Sequence, residues 1–278
     1  MIQLFHTASE NCSRMVTENY STSFSSAIRL LHKDLQAPIH NIYGFVRFTD
    51  EIVDSFHEYD KAFLLQQFRD ATYDALKRGI SLNPVLNSFQ RTVNGYNIDT
   101  SQVDSFFRSM ESDLSKSVYD QKDYTEYIYG SAEVVGLMCL HVFCEGNIEL
   151  YKELEQPARA LGAAFQKVNF LRDFKADYTG LSRIYFPGCD FNNFTEQQKK
   201  EIEEDIHHDF HTAYRGILKL PVKARFGVYV AYKYYSSLFK KIIKTKPARV
   251  LEERISIPNY RKALIILRAG VKNQLRLI

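Results

Sequence analysis

The chain has no tryptophan and, in 278 residues, only 12 glycines, 7 prolines and 4 cysteines. Scarce glycine and proline argue against an all-β fold, which needs frequent turns, and favour long helices. Cys12, Cys139, Cys144 and Cys189 are scattered and form no C-x-x-C pair. Neither a zinc site nor a disulfide framework is therefore expected, in keeping with a reducing compartment. No window of about 18 residues is apolar and free of charge, so no membrane span is expected. The opening residues, MIQLFHTASENCSRM, lack a basic start followed by an apolar run and do not read as a signal peptide. The net charge of +3 is too small to imply a nucleic-acid partner. No glycine-rich phosphate loop or dinucleotide fingerprint is present.

Present in abundance are apolar residues at 45%, with 20 Phe and 18 Tyr, in a helical rhythm. Asp60 precedes an apolar-periodic run that ends at Gly79. Asn83-Pro84 reads as an N-cap followed by proline in the first turn. Asp99 with Gln102, and Thr195 with Gln198, read as capping boxes. Residues 220–244 form another long helical run. No repeat or low-complexity linker divides the chain, so residues 1–278 read as one all-α domain of about ten helices.

Two polar stripes interrupt these apolar helices. In NIYGFVRFTDEIVDSF, residues 41–56, Asp50 and Asp54 are four apart and share a face with Arg47 and Tyr43. Ile42, Phe45, Ile52, Val53 and Phe56 lie on the other side. In AFQKVNFLRDFKADYTGLSRIYFP, residues 164–187, Asp173 and Asp177 repeat the spacing, with Asn169, Gln166 and Arg172 beside them. Acids four apart are common on solvated helix faces and repel each other. Two such stripes, each with an arginine, point instead to an oxygen-rich site for a hard cation. Mg²⁺ is the best match, with Arg47 and Arg172 supplying fixed charge to substrate phosphates.

Those motifs, with YSTSFSSAIRLL (20–31) and YIYGSAEVVG (127–136), resemble the squalene/phytoene synthase family, and bacterial phytoene synthases most. One departure is Glu133, where the family commonly has a small residue. The resemblance implies a single-domain isoprenoid-synthase-type helical bundle around a central cavity. It implies a Mg²⁺-dependent prenyltransferase (Mn²⁺ as a substitute) that joins two geranylgeranyl diphosphates head to head into 15-cis-phytoene, with no nicotinamide. On the motif positions it makes Asp50, Asp54, Asp173 and Asp177 metal ligands, with Asn169 assisting, and Arg47 and Arg172 diphosphate clamps. Ser21 and Ser23, from S-x-S-F, would bind diphosphate oxygens, and Gln166 would order the site. Tyr43, Tyr185 and Tyr235 would face the reacting carbons; for Tyr235 a core aromatic with a satisfied hydroxyl is the competing reading.

Phe24 belongs to the S-x-S-F segment, and Ile28 lies one turn deeper on the same face. Isoleucine there, rather than a ring, would leave the cavity floor open for the twenty-carbon substrate. The alternatives are squalene or dehydrosqualene synthesis from farnesyl diphosphate, a catalytically silent scaffold of the same fold, and a di-iron carboxylate protein. Implied partners are two prenyl diphosphates, with a downstream desaturase left open. A cytoplasmic location is expected, with peripheral contact to the inner face of a membrane also open through the basic run 240–249. His207, His211 and Glu204 read as the solvated face of a surface helix.

Overall fold

The computed structural model describes residues 1–181, 183–189, 194–252 and 254–275. Thirteen α-helices account for most of them: α1 Ile2–Tyr20, α2 Thr22–Ile28, α3 Lys33–Ser55, α4 Lys61–Arg78, α5 Pro84–Gly95, α6 Thr100–Asp113, α7 Gln121–Ile128, α8 Val134–Cys144, α9 Ile148–Leu181, α10 Glu196–Ile217, α11 Val222–Ile243, α12 Pro247–Val250 and α13 Asn259–Gln274. The excess over ten comes from short helices such as α2 and α12. Among the described residues no strand forms; Val118 and Ile184 make an isolated parallel bridge.

The helix ends follow the side-chain chemistry of the termini. Asp60 accepts the Phe63 N–H, and Gly79 closes α4 at φ 71°, a conformation that costs glycine nothing. Asn83 caps α5 ahead of Pro84. Thr195 and Gln198 form the full capping box of α10. Asp99 and Gln102 do not form one: Asp99 caps at the Ser101 N–H, and the Gln102 amide donates to the Tyr151 hydroxyl at 3.0 Å. A half-buried phenol on α9 outcompetes the reciprocal cap.

Between α7 and α8 lies one turn of π-helix, Tyr129–Glu133. Its last residue, Glu133, pairs with Arg159 of α9 at 2.6 Å, so the departure from the family pattern is absorbed by an ion pair between neighbouring helices. The backbones come very close here: a Cβ on Gly162 would sit 2.4 Å from the Ala132 carbonyl oxygen. The continuous stretch Gln121–Cys144 is long and apolar enough to cross a membrane, but 61% of its most apolar window is buried inside the protein. All four cysteines are free thiols.

Apolar faces meet in two clusters. One, around Leu35, Phe45, Phe89 and Phe106, includes Phe45 and Phe89 stacked at 3.8 Å. The other is aromatic, built around Phe170, Phe174, Tyr185, Phe210 and Phe239. A cavity of about 590 Å³ is lined by residues of both clusters, with α2, α3, α9 and α11 among its walls.

Candidate active site

The two stripes face this cavity. Asp50 and Asp54 reach it from α3, and Asp173 and Asp177 from α9. Tyr43, Arg47, Ser21, Phe24, Ile28, Gln166, Asn169, Arg172, Tyr185 and Tyr235 line it too. Ser23 does not; it is half-buried, and its carbonyl accepts a hydrogen bond from Ser26. Ser21 is the extended N-cap residue, whereas Ser23 lies in the first turn of α2, about 100° round from Phe24, which lines the cavity. The Ser21 hydroxyl meanwhile caps α2 at the Phe24 N–H, at 3.1 Å.

The acids are only partly compensated. Arg47 sits 3.9 Å from Asp50 but 2.5 Å from Glu51, and its guanidinium lies over the Tyr20 ring. Asp54 pairs with Arg183 at 2.9 Å. Asp173 is held by Arg172 and, at 2.7 Å, by Arg254. Asp177 has no ion pair among the described residues. Burial first, then the neighbouring Asp173 and Asp54 carboxylates, push Asp177 up to about 7. Burial and then Asp54 raise Asp50 well above the carboxylate range.

The fold contains an internal contrast. Asp205 and Asp209 on α10 are also four apart, yet both bind the buried Lys167 ammonium, at 2.5 and 2.8 Å. Among the described residues Asp50 and Asp177 have no comparable cation: Arg47 stands 3.9 Å from Asp50, and Asp177 has no ion pair. Hard oxygen donors short of positive charge fit a divalent cation. The side chains do not converge on a single ion position: among the described residues no three His, Cys, Asp or Glu side chains are grouped to hold one metal. His207, His211 and Glu204 are exposed, as a solvated face requires.

The sequence reading missed Asp113. It is 7% exposed at the end of α6 and lines the cavity. It accepts hydrogen bonds from Tyr127 at 2.7 Å, Tyr119 at 3.0 Å and Tyr185 at 3.2 Å. Arg183 donates to its backbone carbonyl at 2.7 Å and lies 3.7 Å from its carboxylate. Burial outweighs Arg183 and the tyrosines and pushes its carboxyl up to about 6. The signal was available: Val103, Phe106 and Met110 mark the buried face of α6, and position 113 continues it. Arg183, also missed as a site residue, stands in the quoted SRIYFP run but in an irregular segment where periodicity says nothing.

Toward the interior of the cavity the lining turns aromatic, then aliphatic. Phe24 packs against Tyr43 at 5.7 Å and Tyr235 at 5.8 Å, and Phe165 stacks on Tyr235 at 3.9 Å. The Tyr235 hydroxyl donates to Asn169 at 3.2 Å, so this ring is both a cavity wall and a satisfied core aromatic. Burial drives the Tyr43 hydroxyl up to about 12, keeping it neutral. Leu154, Leu140, Phe143 and Leu220 line the far end.

Residues 17–261 match the family model described as squalene/phytoene synthase. The chain belongs to that family. It is 30% identical over 172 residues to a presqualene diphosphate synthase of Rhodopseudomonas palustris, covering 60% of this chain and 58% of that protein. It is 27% identical over 202 residues to a 4,4'-diapophytoene synthase of Staphylococcus haemolyticus, covering 68% of this chain and 66% of that one. A phytoene synthase of Arthrospira platensis is 25% identical over 279 residues, with 91% and 89% covered. The fold is that of a dehydrosqualene synthase crystal structure: TM-score 0.83, 20% identity, 98% of both chains covered. A squalene synthase from Alicyclobacillus acidocaldarius superposes with TM-score 0.75 at 19% identity, covering 86% of this chain and 94% of that one. These members are named for different products, so family membership leaves the tail length of the substrate to the cavity.

Proposed function

We propose that this protein joins two allylic prenyl diphosphates head to head, and that geranylgeranyl diphosphate is the substrate and 15-cis-phytoene the product. The observation that carries the reading is one cavity with partly uncompensated acids at one end and a long apolar interior at the other. Mg²⁺ held by Asp50, Asp54, Asp173 and Asp177 would neutralise diphosphate charge and favour its departure.

The chain's own residues supply the rest. Arg47, Arg172 and Arg254 hold positive charge at the polar end, where the allylic C–O bond breaks and diphosphate leaves with the bonding pair. The faces of Phe24, Tyr43, Phe165 and Tyr235 stabilise the allylic cation while the second substrate's double bond attacks it. Proton loss closes a cyclopropane. The cyclopropylcarbinyl diphosphate then ionises, rearranges and loses a second proton. Tyr185 and Tyr127, held by Asp113, border the polar end and orient hydroxyls toward it. The apolar walls keep water from the cations.

Depth supports the longer tail. From Asn169 to Leu154 along α9 the lining runs about 22 Å at roughly 1.5 Å per residue, and along α11 it runs about 12 Å from Tyr235 to Gly227, with Leu220 just before that helix. An extended twenty-carbon tail needs roughly 20 Å and a fifteen-carbon tail roughly 15 Å, from ordinary C–C bond lengths. Ile28 lies only about 6 Å beyond Phe24, so it is a wall residue and not the floor. Ala158 lines the cavity about 16 Å beyond Asn169, where the two tails part. Ala158→Phe should therefore shift kcat/KM from geranylgeranyl toward farnesyl diphosphate by roughly 10-fold, since up to about 3 kcal/mol of tail burial is at stake. Ile28→Phe should depress both substrates. A parent that prefers farnesyl diphosphate, or an unchanged ratio in Ala158→Phe, refutes the length assignment.

Metal binding has a readout without turnover. Protons and Mg²⁺ compete for the same carboxylates, and Asp177 holds its proton up to about pH 7. Added Mg²⁺ should raise Tm, and by more at pH 8 than at pH 6. No shift at either pH, or a larger one at pH 6, would contradict the ligand assignment.

A further inference from the structure

Helix α13 carries a second apolar face that is exposed among the described residues. Its inner side is ordinary: Ala269 is buried, and Ile265 and Ile266 pack against the core beside α11. On the opposite side Tyr260, Leu264, Leu267, Val271 and Leu275 are between 46% and 65% exposed. At 3.6 residues per turn these five fall within an arc of about 80°. A core helix of a globular domain presents one apolar stripe, not two. A contiguous exposed stripe of large apolar side chains marks a contact surface.

The charges say what kind of contact. The sequence of α13, NYRKALIILRAGVKNQ, contains Arg261, Lys262, Arg268 and Lys272 and no acid. Arg261, Arg268 and Lys272 are exposed and lie along one flank of the stripe. On the adjoining α11, burial and then the positive charges of Lys240 and Lys272 lower Lys233, so the flank continues onto that helix. Two copies meeting stripe to stripe would bring together these exposed positive charges, which have no ion pair among the described residues. An anionic surface would neutralise them.

We propose that the outer face of α13 docks the protein on an anionic lipid bilayer, apolar stripe in the interface and basic flank among the headgroups. The placement suits traffic through the cavity. Lys262 donates to Thr22 in the first turn of α2 at 2.8 Å, next to Ser21 on the cavity wall. The start of the docking helix therefore lies beside the catalytic cavity. Lys240, the first residue of the basic run 240–249, is exposed and close enough to Lys233 to lower it. The docking surface stands on α13 itself. Only its use, exchanging long-tailed substrates and a hydrocarbon product with the bilayer, rests on the coupling reading.

Co-sedimentation tests it. The full chain is mixed with vesicles of phosphatidylcholine alone, or of phosphatidylcholine with about one third phosphatidylglycerol. Anionic vesicles should bind at least roughly 10-fold more protein, and about 0.5 M salt should remove most of that preference. Leu264→Asp with Leu267→Asp should abolish binding. Arg268→Glu with Lys272→Glu should abolish the preference for anionic vesicles. All four positions face water, and circular dichroism checks that the fold is intact. Turnover of detergent-dispersed substrate should stay at the parent value in both variants. A parent that stays in the supernatant with both vesicle types overturns the proposal, as do variants that sediment like the parent. So does a parent dimer that the leucine variants split, which would make the stripe a self-association surface.

Discussion

Asp50→Asn and Asp173→Asn are each expected to lower turnover by at least roughly 10² while leaving the protein folded. The expectation follows from where the acids stand. Asp50 and Asp173 line one cavity from helices α3 and α9, at the end where diphosphate would leave. Asp50 is already disfavoured as an anion by burial and by Asp54. An amide of the same shape relieves that repulsion, so stability should hold or rise slightly. Asp173 is held by Arg172 and Arg254, and both guanidinium groups remain beside an asparagine. Steady-state kinetics with a urea titration on each variant separates chemistry from folding. Near-parental kcat in either well-folded variant would remove that residue from the metal site.

A different failure is expected at Asp113. Asp113→Asn should cost about 3 kcal/mol of stability and lower turnover by at least roughly 10-fold. The carboxylate accepts from three tyrosine hydroxyls and faces a buried arginine. An amide offers one acceptor oxygen and two donor hydrogens, so hydroxyls that donate today would confront another donor. Arg183 would retain Asp54 as its remaining carboxylate partner. Tyr127 and Tyr185 would lose the anchor that aims their hydroxyls at the polar end. A double-mutant cycle with Tyr127→Phe should show strong coupling in kcat, because both changes act on one network. Additive effects, or a urea midpoint equal to the parent's, would show that the network positions nothing.

The contrast between these residues shows what was legible beforehand. The α3 and α9 stripes could be read because a helix carries its own ruler: Asp50 with Asp54, and Asp173 with Asp177, are neighbours by sequence arithmetic. Which helix lies opposite which is not local information. That Asp54 would meet Arg183, 129 residues away, depends on the bridge between Val118 and Ile184 that brings the irregular 183–189 segment to the end of α6. Asp113 was half legible, as an acid on an apolar stripe with no partner in view. Ser23 was misplaced because a motif match ignored the turn of the helix. Ile28 was read as the floor because sequence shows depth along one helix only, while α9 and α11 carry the cavity further. The second apolar face of α13 was written in the sequence too, but period alone does not say which of two stripes the core will use.

The most direct test of the account is product identity. Purified protein is incubated with Mg²⁺ and either geranylgeranyl or farnesyl diphosphate, and the organic extract and released diphosphate are analysed. The account predicts a hydrocarbon of twice the substrate's carbon number, formed best from geranylgeranyl diphosphate, with two diphosphates released per product and no need for reduced nicotinamide. Folded protein that binds Mg²⁺ but yields only uncoupled substrate or its alcohol would contradict it.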